Sequence, residues 1–155
     1  MDAGDARFIA DSMLGRLATW LRILGYDTLY FRDAQDGRLV ALARREGRIL
    51  LTRDTQLLMR RRLCPMLFVR HDRVWEQLRQ VTGELGLSMG PRLGSRCLRC
   101  NRSLAPLAKA RAAGRVPEYI FRRHDVFFHC EGCGRVFWGG THLTHMEETV
   151  RALCG

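Results

Sequence analysis

Gly47-Arg48-Ile49-Leu50-Leu51-Thr52-Arg53-Asp54 carries three consecutive aliphatic residues that end abruptly in a hydroxyl, a guanidinium and a carboxylate. An apolar run without polar alternation suits a strand covered on both faces, as in a parallel sheet flanked by helices. Asp54 then sits at the carboxyl end of that strand. In open α/β sheets this is the edge where ligands bind.

Outward from this stretch the same unit recurs. Phe8-Ile9-Ala10 is a short apolar strand ending at Asp11, and Ser12 is positioned to cap the helix that follows. Leu14, Leu17, Ala18, Leu21 and Leu24 recur at helical spacing, with Arg16 and Arg22 off that face, before Gly25 closes the segment. Thr28-Leu29-Tyr30-Phe31 makes a second strand, followed by Arg32-Asp33 and then Asp36. Leu39, Val40, Leu42 and Ala43 form the stripe of a second helix stopped by Gly47. Downstream, Asp54 and Thr55 open a helix with Leu57 and Leu58 that ends in Arg60-Arg61-Arg62. Pro65 breaks it, Met66-Leu67-Phe68-Val69 is a fourth strand leading to His71-Asp72, and Val74, Leu78, Val81 and Leu85 mark a fourth helix.

Right-handed crossovers bring every strand's carboxyl end to one edge, which would collect Asp11, Asp33 or Asp36, Asp54 and Asp72. Local structure alone accounts for some of these, because Asp is a common helix cap and turn residue. The functional reading is that carboxylates tolerate one another's proximity when a hard divalent cation neutralises them, with Mg²⁺ or Mn²⁺ expected.

A chain of 155 residues holds one ordinary domain, or a domain of about 90 residues plus a small metal-stapled one. The hydrophobic content of 46% supports a core, yet no apolar run approaches the roughly 20 residues needed to span a bilayer. No signal-peptide pattern opens the chain. The expectation is a cytoplasmic protein without a membrane segment, where paired thiols more often bind metal than form disulfides.

Net charge is +10, and Lys109 is the only lysine among 26 basic residues. Arginine grips phosphate bidentately and stacks on bases, so the excess points to RNA or DNA. A GC-rich genome would explain Arg over Lys but not the excess of positive charge. Residues 1–90 hold 15 basic and 11 acidic residues, and 91–155 hold 11 and 5, so the second part is the more basic per residue.

Between Leu87 and Arg96 the composition shifts to Gly, Pro, Ser and Arg. This marks a linker and predicts two domains, 1–89 and 90–155. In the second, Cys97-Leu98-Arg99-Cys100 and Cys130-Glu131-Gly132-Cys133 are two CxxC knuckles whose four thiolates match tetrahedral zinc. Two unrelated turn pairs, or a redox site, are the alternatives. A redox CxxC would sit at a helix start in a thioredoxin-like setting, and neither pair does.

The insert between the knuckles predicts a helix from Leu104 to Ala113, then Val116-Pro117 and a strand near Val126-Phe127-Phe128. Arg111, Arg115, Arg122, Arg123 and His124 make it basic. His129 is a spare ligand candidate, while Cys64 and Cys154 read as small apolar residues. Phe137-Trp138-Gly139-Gly140-Thr141-His142 reads as a hairpin closing the zinc module, with an imidazole beside a flexible glycine pair.

Phe8 to Ala18, Leu24-Gly25-Tyr26-Asp27-Thr28, Gly47 to Asp54, and the double CxxC followed by Trp138-Gly139-Gly140-Thr141-His142 together resemble the Mut-seven C-terminal RNase domain family over nearly the whole chain. The family usually has Ser where Thr141 stands. The resemblance implies a PIN-like nuclease domain, an α/β parallel sheet flanked by helices, followed by a zinc-ribbon module. It also implies metal-dependent ribonuclease activity. The acids it carries over are Asp11, Asp36 and Asp54, with Asp33 and Asp72 as further candidates.

On that reading these acids hold Mg²⁺ or Mn²⁺ for hydrolysis of an RNA phosphodiester, as an endonuclease acting on structured RNA such as tRNA or rRNA. Arg16 and Arg53 steady the scissile phosphate. Arg60, Arg61, Arg62, Arg122 and Arg123 grip flanking nucleotides without reading sequence. One rival is a phosphoacceptor receiver domain, which needs a lysine late in the sheet where this chain has none before Lys109. The other is a noncatalytic zinc-ribbon adaptor that binds RNA or a ribosome.

Overall fold

The computed structural model of the chain describes residues 3–154, and of these only the backbone at Ala3, Thr141, His142 and Cys154. The expectations for the His142 imidazole and the Cys154 thiol therefore lie outside the described residues.

Four short strands, β1 (Phe8–Ala10), β2 (Thr28–Tyr30), β3 (Ile49–Thr52) and β4 (Met66–Phe68), form a wholly parallel sheet in the order β2-β1-β3-β4. Between them run α1 (Gly15–Ile23), α2 (Asp36–Glu46) and α3 (Thr55–Leu58), and α4 (Val74–Leu85) follows β4. Side chains alternate across each strand, so the two sheet faces have separate cores. Phe8, Ala10 and Leu51 pack with Leu17, Leu21, Leu78 and Val81 from α1 and α4. Ile9 and Leu50 point the other way, to Leu39, Val40 and Ala43 of α2 and Leu57 of α3. Cys64, expected as a small apolar residue, is buried in this second core, where burial pushes its thiol pKa up.

Because β2 lies on one side of β1 and β3 on the other, the strand order reverses between β1 and β3. In open α/β sheets the carboxyl ends of the strands at such a switch point are where ligands bind.

The sheet's outer edges are closed by side-chain amides. On β4, Gln80 accepts from the Arg70 N–H at 2.9 Å and donates to the Phe68 carbonyl at 2.8 Å. On β2, the Asn101 carbonyl oxygen accepts from the buried Thr28 N–H at 2.9 Å. Each amide satisfies backbone groups that an open edge would expose to pairing with another chain.

The second part holds an antiparallel sheet of β5 (Ala105–Leu107), β6 (Phe127–His129) and β7 (Val136–Trp138). Short helices α5 (Lys109–Ala112) and α6 (Glu118–Arg123) fill the insert, and Leu107, Ala112 and Phe127 form its core. The expected helix from Leu104 to Ala113 is thus a strand followed by one helical turn. Pro106 explains the change, since it disfavours helical backbone at Ala105 and, lacking an N–H, is tolerated on an edge strand such as β5.

Two further expectations are corrected. Ser12 does not cap the first helix: the 3₁₀ turn Ser12–Leu14 leads into α1 and is itself capped by Asp11, whose carboxylate accepts from the Ser12 N–H at 2.6 Å, while α1 starts after Leu14 with no side-chain cap. The third helix stops at Leu58, leaving Arg60-Arg61-Arg62 in exposed turns.

β7 does form a hairpin with β6, but Gly139-Gly140 leads on into a 14-residue helix, α7 (Thr141–Cys154). Val150 of α7 is buried in the core beside α1 and α4, and Leu153 packs against it. The stretch between the two parts is likewise tied down. Leu87 is buried, the Gly94 N–H donates to the Ile23 carbonyl, and Gly25 (φ +91°) lies so close to Arg92 that any side chain there would collide with its backbone. Among the described residues, no helix is long and apolar enough to cross a membrane.

Candidate functional site

Asp11 and Asp54 each follow a strand that flanks the switch point, and Thr52 connects them. Asp11 is 7% exposed and its backbone N–H donates to the Leu51 carbonyl, fixing the exit of β1 against β3. The fully buried Thr52 hydroxyl accepts from the Asp54 N–H at 2.9 Å and donates to Asp11 Oδ2 at 3.0 Å. With its lone pair engaged by the amide, the hydroxyl directs its proton at the carboxylate.

Both acids also cap helices. Asp11 accepts from Ser12, and Asp54 Oδ1 accepts from the Gln56 N–H at 2.8 Å. The capping reading of these residues therefore describes a real part of their bonding, and it leaves Asp54 Oδ2 without a hydrogen bond among the described residues.

The other acids stand apart. Asp36 occupies the first turn of α2, half-buried, while Gln35 is the capping position. Asp33 is exposed in the preceding turn. Asp72 is exposed and paired with Arg53, whose guanidinium also donates to the His71 carbonyl, so Arg53 ties the exits of β3 and β4 together. Asp11, Asp36 and Asp54 are not drawn into a group with donor oxygens within 4.8 Å of one another.

Of the candidate phosphate-binding groups, Arg16, Arg60, Arg61, Arg62, Arg122 and Arg123 are exposed, with Arg122 paired to Glu118 one helical turn away.

The four cysteines do meet. Cys97, Cys100, Cys130 and Cys133 place their sulfurs within 4.8 Å of one another, and His129 is not among them. The Cys97 and Cys133 sulfurs are 3.8 Å apart. A tetrahedron with Zn–S bonds of about 2.3 Å has sulfur–sulfur edges of about 3.8 Å, so the cluster has the donors and spacing to hold zinc.

The two knuckles are built alike. The first cysteine's carbonyl accepts from the residue after the second cysteine, Asn101 at 2.9 Å and Gly134 at 2.8 Å. Both of these residues are left-handed, at φ +60° and +72°. For the Cys130 thiol, burial acts upward, but N–H groups of Cys133 and Gly132 and the neighbouring thiols bring the pKa down to about 7. Burial and the thiols of Cys133 and Cys130 push Cys100 up to about 12.

One network escaped the sequence reading. Asn101, besides holding Thr28, donates to Asp27 Oδ1 at 2.7 Å. Arg48, nearly buried, bridges Asp27 at 2.7 Å and Glu46 at 2.6 Å. Arg22 adds a bond to the Leu98 carbonyl at 2.7 Å. The first cysteine knuckle is thereby fastened to the edge of the parallel sheet. The available signal was an Asn where the second knuckle has Gly, since Asn tolerates the left-handed region and brings a side-chain amide with it.

A family model described as Mut7-C RNAse domain matches residues 6–150, a span that includes Asp11, Asp54 and all four cysteines. Among curated proteins and among solved structures nothing matches.

Proposed function

The chain belongs to the Mut7-C RNAse domain family, and from that premise we propose that it is a Mg²⁺- or Mn²⁺-dependent ribonuclease acting at the β1/β3 switch point. The observation that carries this reading is the buried Asp11 carboxylate joined through Thr52 to Asp54 at the carboxyl edge. Such carboxylates suit a hard, oxygen-seeking cation. Asp11 and Asp54 would hold the ion, with Asp36 the third acid of the family pattern and Asp33 and Asp72 further candidates.

When bound, the ion would make a water more acidic and stabilise charge on the leaving oxygen. Thr52 fixes the Asp11 carboxylate in direction, and the Asp54 cap bond holds one oxygen while the other stays available. Arg16 is the exposed cation suited to steady a scissile phosphate, since Arg53 is already paired. Arg60, Arg61, Arg62, Arg122 and Arg123 would contact flanking backbone, positioning RNA without reading it. We assign the nuclease chemistry to residues 1–89 and the zinc-bearing support to 90–155, and we place the protein in the cytoplasm.

A second reading, a noncatalytic RNA- or ribosome-binding adaptor, is favoured by one observation: both Asp11 and Asp54 are engaged as helix caps. The test is cleavage of RNA with added Mg²⁺ or Mn²⁺ by wild type, Asp11→Asn and Asp54→Asn. Each variant should lose activity by more than about 100-fold, beyond the usual effect of losing an outer-shell partner of a metal site. Asparagine caps well, so their thermal midpoints should stay close to wild type. Wild-type protein that cleaves no RNA with either ion favours the adaptor. Full activity in both variants rejects these acids as ligands.

A further inference from the structure

Trp20 of α1 and Trp75 of α4 meet edge to face, with ring centroids 4.6 Å apart and an interplanar angle of 65°. The core contacts of α4 are made by Val74, Leu78 and Val81, which leaves Trp75 37% exposed on the outer side. Exposed large aromatics are informative when they sit among unpaired charges of one sign.

Arg16 lies four residues before Trp20, and Arg79 four residues after Trp75, so each arginine shares a helix face with its tryptophan. Both helices begin at the carboxyl edge of the parallel sheet and run in the same direction, because each follows a strand of that sheet. With the rings in contact, Arg16 stands about one 5.4 Å turn nearer the acids and Arg79 about one turn farther away. The result is a stripe of Arg, Trp, Trp and Arg that starts in the first turn of α1, five residues after Asp11, and descends the outer face. Arg16 and Arg79 are exposed and enter no ion pair among the described residues. The neighbouring carboxylate, Glu76, faces His71 at 3.9 Å.

We propose that this stripe is the track for an unpaired RNA strand, on which Trp75 stacks a base while Arg16 and Arg79 hold phosphates to either side. This rests on the ribonuclease reading and names its substrate as single-stranded RNA. A duplex hides its base faces in the stack, so an exposed tryptophan ring has nothing to stack on, whereas a single strand offers every base face. Trp20 fixes the orientation of Trp75 through an edge-to-face contact, the arrangement favoured by the aromatic quadrupole.

The test uses the full zinc-loaded chain in magnesium-free buffer, which separates binding from cleavage. The probes are a short oligouridylate and a blunt RNA duplex of equal length. Oligouridylate should quench tryptophan emission, the duplex should not, and the quenching should largely vanish in Trp75→Ala. Trp75→Ala should weaken oligouridylate binding about tenfold or more, and Trp75→Phe should restore most of it. Arg79→Ala should lower the slope of log affinity against log salt by about 0.7. Should Trp75→Ala fail to fold, Trp75→Phe and the exposed Arg79→Ala carry the test.

Unchanged oligouridylate binding in Trp75→Ala and Arg79→Ala, or equal losses on duplex and single strand, overturns the track. If RNA is cleaved in a metal-dependent way while these variants bind normally, the track falls and the ribonuclease stands. If Trp75-dependent single-strand binding persists in a protein that cleaves nothing, the track stands and the ribonuclease falls.

Discussion

At Asn101 a single side chain does two jobs that the second knuckle separates. Its left-handed backbone closes the first CxxC turn as Gly134 closes the second, and its amide pins that turn to Thr28 and Asp27. Asn101→Gly keeps the backbone conformation and removes the pin. Leaving the buried Thr28 N–H unpaired should cost about 1–3 kcal/mol in urea unfolding, with zinc affinity nearly unchanged. The partner acid makes a pH prediction. Burial would raise the Asp27 pKa, but hydrogen bonds from Arg48 and Asn101 hold it below the ordinary aspartate value. The unfolded chain therefore binds this proton more readily, so stability rises with pH through that range. The contribution is complete above the unfolded value of about 3.9 and is lost as pH falls through the folded one. Unfolding measured from pH 5 downward should show wild type losing stability more steeply than Asp27→Asn. Parallel slopes would show that Asp27 is not the titrating group.

Among the elements, the two knuckles and the β6–β7 hairpin stand to gain most from a bound metal. Short strands around a small core of Leu107, Ala112 and Phe127 bury little apolar surface, the situation in which a structural metal contributes folding energy outright, about 10 kcal/mol or more in small modules. One zinc per chain is expected by elemental analysis. Cys130→Ser should lose it and melt β5, β6 and β7 at a lower temperature than the parallel sheet. Zinc binding must also displace thiol protons, above all from Cys100, whose pKa stands at about 12. Zinc affinity should therefore fall as pH is lowered, and calorimetry in buffers of different ionisation enthalpy should detect proton release. A pH-independent affinity would mean that fewer than four thiolates bind.

For the whole molecule, the structure changes what truncation means. An end at Met89 looks natural by composition, yet it removes Val150 from the first core and Asn101 from the edge of β2. Burial of one such aliphatic side chain is worth about 1.5–3 kcal/mol, so residues 1–89 alone should be markedly less stable than the full chain by thermal unfolding. An equal midpoint would show that the two parts fold independently. The net charge of +10 adds that RNA binding by the full chain should weaken with salt, by about 0.7 in log affinity per log salt for each single-strand phosphate contact.

The parallel α/β class and the four-cysteine cluster that could hold zinc were legible in the residues. Uninterrupted strands, the helical stripe from Leu14 to Leu24 and the doubled CxxC are patterns within short windows, and short-range sterics and periodicity act within such windows. The periodicity of α7, with Leu143, Met146, Val150 and Leu153 at helical spacing, is equally present in the residues beyond the Gly139-Gly140 pair. Other features depended on groups far apart in sequence. Pro106 joined a strand because β6 was there to pair with it. Thr52 came to link Asp11 and Asp54 because the sheet order sets β1 beside β3. Asn101 met Thr28 because the knuckle folds back onto the sheet edge. Local pattern determines which elements form, and only packing in three dimensions decides which of their polar groups meet.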